Sequence, residues 1–192
     1  MIKHIGEADF PSQHGNFRIH SFVDSKDREH IALVSNHSTL NGGEVPVRIH
    51  SKCLTGDTLA SLRCDCRNQL EIALGYIGKN GGILIYLDQE GRGIGLPNKI
   101  KCYSLQDSGL DTVEANLELG FGEDLRTYEA AAQILNYFGV TNVALLTNNP
   151  EKIKELESHK IKVGKRIPII TSSNDHNCKY LQTKKEKLNH LL

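Results

Sequence analysis

The chain has 192 residues, 39% of them hydrophobic and 24% charged, with 23 basic side chains against 23 acidic ones. That composition describes a folded globular protein and excludes a disordered chain, and the balanced charge gives no bulk attraction to nucleic acid or to a membrane surface. No apolar run approaches the ~20 residues of a membrane span, and the start Met1-Ile2-Lys3-His4-Ile5-Gly6-Glu7 lacks a signal-peptide core, so the expected location is the cytoplasm, where thiols stay reduced.

Asn16 to Phe22 alternates apolar and polar residues, the pattern of a half-buried strand. After a charged turn at Asp24 to Glu29, the run His30 to Ser35 is apolar enough for an interior strand. Asn41-Gly42-Gly43 marks a turn, and Val45 to His50 reads as a third strand leading into a cysteine-rich stretch. Connections this short predict an antiparallel N-terminal sheet. From residue 69 the period becomes helical, with Leu70, Ala73, Leu74 and Ile77 on one face and Asn80-Gly81-Gly82 as the stop. Ile83 to Leu87 is a continuous apolar strand expected to be buried on both faces. Gly91 to Gly95 is a loop, and Leu96 to Ser108 a helix with Pro97 in its first turn. A second helical stripe runs through Tyr128, Ala131, Ala132, Leu135 and Phe138, closed by Gly139. Val143 to Leu146 is another buried strand, and Asn149-Pro150-Glu151 opens a helix with Asn as N-cap. Ile167-Pro168-Ile169-Ile170 is expected as a short edge strand, and the lysine-rich tail from Asp175 as a solvated face. Strands alternating with helices after residue 69 give an α/β fold, a mixed sheet packed with helices whose N-terminal strands are antiparallel. No linker-like segment appears, so one domain over residues 1–192 is expected.

Three of the five cysteines, Cys53, Cys64 and Cys66, fall in one stretch with the spacing C-x10-C-x-C. Zinc favours thiolates, and a catalytic zinc site keeps a coordination position open; three close cysteines suit that better than paired C-x2-C units would. An extended backbone at Cys64 and Cys66 would aim both sulfurs the same way, and Gly56 could turn the loop that brings Cys53 back. Three inert core thiols are the other use of such residues, but the charged neighbours Arg63, Asp65 and Arg67 weigh against it. His50 either completes the metal shell or flanks it. Cys102 and Cys178 are expected as free thiols.

Gln89-Glu90-Gly91-Arg92-Gly93-Ile94-Gly95 follows a buried strand and precedes a helix. Ligands gather at such strand ends; glycines admit a phosphate to the backbone, and Arg92 can grip it. The spacing is neither a Rossmann fingerprint nor a Walker A loop. Thr147 to Lys152 repeats the arrangement, with a helix N-terminus and Lys152 as an anion site or, more plainly, as an ordinary capped helix. Asp124 and Arg126 form either a surface ion pair or, beside a metal and a phosphate, an acid–base pair. Tyr103 is either core or a proton donor.

The stretches Arg48 to Asp57, Leu62 to Cys66, Gln89 to Leu96, Asp111 to Asn116 and Leu146 to Pro150 resemble GTP cyclohydrolase II of riboflavin biosynthesis. The resemblance runs from about residue 15 to the C-terminus, and leaves no room for the dihydroxybutanone phosphate synthase domain that some relatives carry. It implies opening of the guanine imidazole ring of GTP with loss of formate and pyrophosphate, giving a diaminopyrimidine phosphoribosylamine. It implies zinc on Cys53, Cys64 and Cys66, activating water for attack at C8, and magnesium with the triphosphate. Tyr103 matches a tyrosine assisting ring-opening hydrolysis. Arg126 matches a residue proposed as nucleophile on the α-phosphorus, with Asp124 as proton acceptor; charge stabilisation by Arg126 would serve the same need, since guanidinium scarcely deprotonates. Arg48, Ile49, His50, Ser51, Lys52, Gln69, Glu90, Gly91, Arg92, Thr112, Thr147 and Lys152 match positions that hold the nucleotide. Lys52 departs from the family, which commonly has glutamate there. The resemblance further implies a homodimer. Two alternatives stand beside it: a paralogue stopping at a formamide product, which Tyr103 argues against, and a zinc-stabilised nucleotide-binding module without turnover.

Overall fold

A computed structural model describes residues 1–40 and 42–191. It contains one seven-stranded sheet in the order β1-β2-β3-β5-β4-β6-β7, with β1 Lys3–Ser12, β2 Gly15–Val23, β3 Glu29–Ser35, β4 Val45–Ser51, β5 Ile83–Leu87, β6 Asn142–Leu146 and β7 Lys162–Ile167. The helices are α1 Cys66–Asn80, α2 Leu96–Asp107, α3 Thr112–Glu118, α4 Glu129–Tyr137, α5 Pro150–Ser158 and α6 Cys178–Glu186. The chain forms two compact units, each assembled from separate segments. The first comprises Met1–His50, Leu70–Asp88 and Thr127–Ile169; the second comprises Ser51–Gln69, Gln89–Arg126 and the chain from Ile170 onward.

In the first unit, period-two alternation sorts the strands onto two faces. Ile83, Ile85 and Leu87 of β5 join Val47, Ile49, Val143 and Leu145 in a core shared with Ala131, Ile134 and Leu135 of α4 and Leu156 of α5. Leu84, between them in sequence, faces the other way and meets Phe17, Leu33, Ala73 and Ile77, the last two from α1. A sheet covered on both faces needs strands without a polar side, which is why β5 and β6 read as unbroken apolar runs. The second unit has a smaller core of Ile94, Cys102 and Ala115, packed by Leu105, Leu110, Leu119 and Phe121. Among the described residues no helix is long and apolar enough to cross a membrane.

The strands β1, β2, β3 and β5 pair antiparallel in succession. The third predicted strand is β4, but it does not continue that meander: β5 lies between β3 and β4, and β4 pairs parallel with β6. Val45, Val47 and Ile49 need cover that an edge position would not give. The edge strand expected at Ile167 to Ile170 lies earlier, at Lys162–Ile167, and stops where Pro168 has no N–H to pair. The C-terminal tail is not merely a solvated face, because α6 buries Thr183 and Lys184. Two elements carry no periodic signal. One is β1, exposed along most of its length. The other is the short helix α3, whose start is a capping box of Asp111 and Glu114. Asn41 of the expected Asn41-Gly42-Gly43 turn lies outside the described residues.

Candidate active site

The second unit gathers the cysteine stretch. Cys53 follows β4, and Leu54–Thr58 closes one wide turn in which Leu59 N–H reaches Leu54 O at 3.2 Å. Cys64 lies in the loop, while Cys66 opens α1 rather than continuing an extended strand; a turn followed by a helix start, not strand geometry, brings the sulfurs together. The three Sγ atoms lie within 4.8 Å of one another, with Cys53 Sγ and Cys64 Sγ 3.7 Å apart. A tetrahedral ion with Zn–S bonds of about 2.3 Å separates its sulfurs by about 3.8 Å, so the donor set fits zinc. Gly56 closes the back of the cradle: a Cβ there would lie 2.8 Å from Cys64 Sγ and 3.1 Å from Cys53 Sγ. Its φ is unexceptional, so this glycine is required for space and not for the turn that the sequence suggested. His50 belongs instead to the first unit, stacked on Tyr86 with ring centroids 5.5 Å apart and with Nδ1 3.4 Å from Arg48 Nη2.

Charge is arranged around the sulfurs. Hydrogen bonds from Cys64 and Cys66 hold the Cys53 thiol well below its ordinary range, against the effect of burial and with help from the Lys99 ammonium. Cys64, already committed to Cys53, is pushed up to about 11, and Cys66 is raised for the same reason. Lys99 Nζ donates to Cys53 Sγ at 3.1 Å and to Glu90 Oε1 at 2.7 Å. Burial would lower the Lys99 pKa, but the Cys53 thiolate and the Glu90 carboxylate raise it further. Glu90 also accepts from Leu54 N–H at 2.6 Å and Gly91 N–H at 2.9 Å, tying the cysteine loop to the glycine loop. Tyr103 stands four residues after Lys99 on α2, hence on the same helix face. Its hydroxyl lies 3.1 Å from Thr55 Oγ1, and Arg63 Cζ lies 4.9 Å from its ring centroid. Burial raises the phenol pKa despite the Thr55 hydrogen bond, so Tyr103 keeps its proton at neutral pH.

Between the cysteines, Asp65 is 1% exposed. Lys184 Nζ donates to its Oδ1 at 2.6 Å, Gln69 Nε2 to its Oδ2 at 2.5 Å and Thr171 Oγ1 to the same oxygen at 3.3 Å. Burial would raise the Asp65 pKa, but the Lys184 ammonium overrides it. Gln69 is thus placed against Asp65.

The glycine loop contains a short 3-10 turn, Glu90–Gly93, in which Gly91 and Arg92 have φ of 61° and 60°. A left-handed backbone at a non-glycine residue costs about 1–2 kcal/mol. Both terminal nitrogens of Arg92 are buried with no hydrogen-bond partner among the described residues, as is Ser51 Oγ. Arg126 and Asp124 form a bidentate pair, with Nε 2.8 and 3.1 Å from the two carboxylate oxygens and Nη2 closing the fork. Burial would raise the Asp124 pKa, but Arg126 holds the carboxyl ionised. Thr112 is the first residue of α3, beside its cap Asp111.

Of the remaining predicted positions, Arg48, Ile49, Thr147 and Lys152 lie in the first unit, turned inward, and Lys52 lies in the second. Arg48 Nη1 donates to Leu146 O at 3.0 Å, and Lys152 Nζ donates to Ile49 O at 2.7 Å and lies 5.3 Å from the Tyr128 ring centroid. Ile49 is a core residue. Thr147 Oγ1 accepts from Asn149 N–H at 3.0 Å, and Asn149 caps α5 as predicted. Lys52 is half-buried. Sequence reasoning missed Lys99, Gly56 as a packing residue, and Lys184. Of these, only Lys99 left a signal, its i, i+4 relation to Tyr103.

The GTP cyclohydrolase II family matches residues 3–168. The GTP cyclohydrolase-2 of Picrophilus torridus is 52% identical over 193 residues, covering 100% of both chains. That of Campylobacter hominis is 51% identical over 96% of this chain and 93% of its own length. The riboflavin biosynthesis protein RibBA of Staphylococcus saprophyticus is 52% identical over 95% of this chain, which spans only 46% of that longer protein. With identity of this order along its whole length, and the cysteine cradle in place, the chain belongs to the GTP cyclohydrolase II family.

Proposed function

We propose that the protein hydrolyses GTP at the guanine imidazole ring, releasing formate and pyrophosphate and leaving a diaminopyrimidine phosphoribosylamine, as the first step of riboflavin biosynthesis. The observation that carries this is the convergence of three thiols around a glycine that leaves no room for a Cβ, in a chain of this family. Cys53, Cys64 and Cys66 would hold zinc, and a zinc ion there supplies the Lewis acidity that makes water nucleophilic near neutral pH. Thiolates must be deprotonated to ligate, so loading releases the protons of Cys64 and Cys66. The Lys99 ammonium offsets part of the negative charge the ligand set brings.

The side chains divide the remaining work. Tyr103, protonated and fixed by Thr55, donates to the imidazole fragment as the ring opens. Arg92 and Ser51 carry buried polar atoms without partners among the described residues, a cost that a bound anion would relieve. Arg126, clamped by an ionised Asp124, is a permanently charged guanidinium; it stabilises negative charge building on the α-phosphate rather than attacking it. Gly91, Gln69, Thr112, Arg48, Ile49, His50, Lys52, Thr147 and Lys152 hold the nucleotide in this reading, Ile49 through its backbone only. Magnesium accompanies the triphosphate, and the working species is a cytoplasmic homodimer in which residues 1–192 act as one domain.

Incubation with GTP, zinc and magnesium should release formate and pyrophosphate in equal amounts. A zinc-loaded protein that releases no formate overturns the proposal. Release of pyrophosphate with a formamide product retained would assign it to the shorter reaction. Cys64→Ser should abolish formate release with native far-UV circular dichroism; loss of the fold would show instead that the metal is structural.

A further inference from the structure

We propose a second site for a divalent transition metal, of the zinc or cobalt type, formed by His4, Glu7 and His20 on the β1–β2 hairpin. No cysteine takes part in it. In a regular strand, residues three apart point to opposite faces, so His4 and Glu7 should not meet. They do because the β1–β2 register shifts between His4 and Gly6: His4 pairs with Phe22 and Gly6 already with Ser21. The bulge inserts one residue, Ile5, and re-aims a side chain as bulges do on edge strands. Glu7 then pairs with His20, and all three side chains stand on one face.

The three donor atoms form a compact triangle. His20 Nδ1 lies 3.1 Å from Glu7 Oε2, His4 Nε2 lies 3.7 Å from the same oxygen, and the two ring nitrogens are 3.4 Å apart. A tetrahedral ion with bonds of about 2.0–2.1 Å spaces its ligands about 3.4 Å apart. The supporting groups suit a metal as well. Arg18 takes the other carboxylate oxygen, with Nη2 and Nε at 3.0 and 3.3 Å from Glu7 Oε1, leaving Oε2 to the histidines. Outer partners of this kind orient metal ligands. Tyr137 stacks on His4 at 4.9 Å, and Phe138 meets the His20 ring edge-on at 4.9 Å, fixing both imidazoles. Two imidazoles with one carboxylate select zinc, cobalt or nickel over magnesium and calcium, which prefer oxygen alone.

The test is zinc titration of the full chain after chelator stripping, followed by metal stoichiometry and by histidine-ring NMR. Wild type should take two zinc ions per chain, and the ring signals of His4 and His20 should move with one of them. The His4→Ala/Glu7→Gln double variant, altered only at partly exposed positions, should take one, its amide spectrum otherwise unchanged. The proposal is overturned if both ring signals stay still through the titration, or if the double variant takes as many ions as wild type; a single ion that moves both ring signals would count instead against zinc at the thiols. In the first two cases the three side chains are a hydrogen-bonded cluster and nothing more.

Discussion

Replacing Lys184 by methionine tests how the C-terminal helix supports the cysteine loop. Lys184 is 8% exposed and Asp65 1% exposed, with 2.6 Å between Nζ and Oδ1. Methionine keeps the length and apolar stem but removes the charge, leaving Asp65 with neutral donors such as Gln69, Thr171 and its own backbone N–H. Breaking a buried pair by removing one partner costs about 3–5 kcal/mol, because the other charge is left uncompensated. For a chain of this size each kcal/mol shifts Tm by about 2–4 °C, so the loss should be roughly 10 °C. Urea and thermal unfolding at one fixed free-zinc concentration would measure it, since bound metal itself shifts the equilibrium. Adding Asp65→Asn to Lys184→Met should recover most of the loss, because an amide keeps the neutral hydrogen bonds and needs no counter-charge. A loss below about 1 kcal/mol, the size of an exposed pair, or no recovery in the double variant, would refute the account.

Three further outcomes are expected. Gly56→Ala should weaken zinc binding by at least about tenfold, or about 1.4 kcal/mol, because its Cβ would lie 2.8 Å from Cys64 Sγ; chelator competition reads the affinity, and circular dichroism should stay native. Tyr103→Phe should lower kcat for formate release by about a hundredfold or more at unchanged zinc stoichiometry at the thiols, since only the hydroxyl beside Thr55 is lost; unchanged turnover would remove Tyr103 from the chemistry. Stability should fall with acid through His30, which is fully buried. Its Nδ1 accepts from Asp88 N–H at 3.1 Å, so the proton sits on Nε2, facing Asp24 Oδ2 at 3.3 Å. Burial depresses the folded pKa despite Asp24. Below the unfolded pKa of about 6.5 the unfolded chain therefore binds the extra proton, and stability drops by at most about 1.4 kcal/mol per pH unit until the folded pKa is reached. Urea midpoints between pH 7 and pH 5 should flatten in His30→Gln, and an equal slope in both proteins would count against it.

Periodicity carried most of the fold. α1, α4 and α5 and the strands β2 to β6 fall on their predicted segments because each has a face that must be buried. What failed was what periodicity does not encode. β1 is exposed on most of its residues, so no alternation marks it; its place is fixed by pairing with β2. α3 is too short for a stripe, and only its Asp111–Glu114 capping box is local enough to read. The insertion of β5 between β3 and β4 is a tertiary choice: segment composition says that both are interior strands, but not which neighbours they take.

The cysteine site divides along the same line, for a chemical reason. A metal accepts few donor types, so a candidate zinc site has to be built from residues such as cysteine at workable spacing, and the sequence shows them. Their supports can be any residue with the right charge in the right place. Lys99 is 46 positions from Cys53, Glu90 is 36 from Leu54, and Lys184 is 119 from Asp65. A lysine in a charged tail has the same composition signal whether solvated or buried. Only the phase of α6 distinguishes it: Lys184 lies one turn after Tyr180, with its Nζ 4.6 Å from that ring's centroid, on the face that also carries Thr183. In this family fold, the residues that make the chemistry possible are legible from type, and those that hold them in place only from geometry.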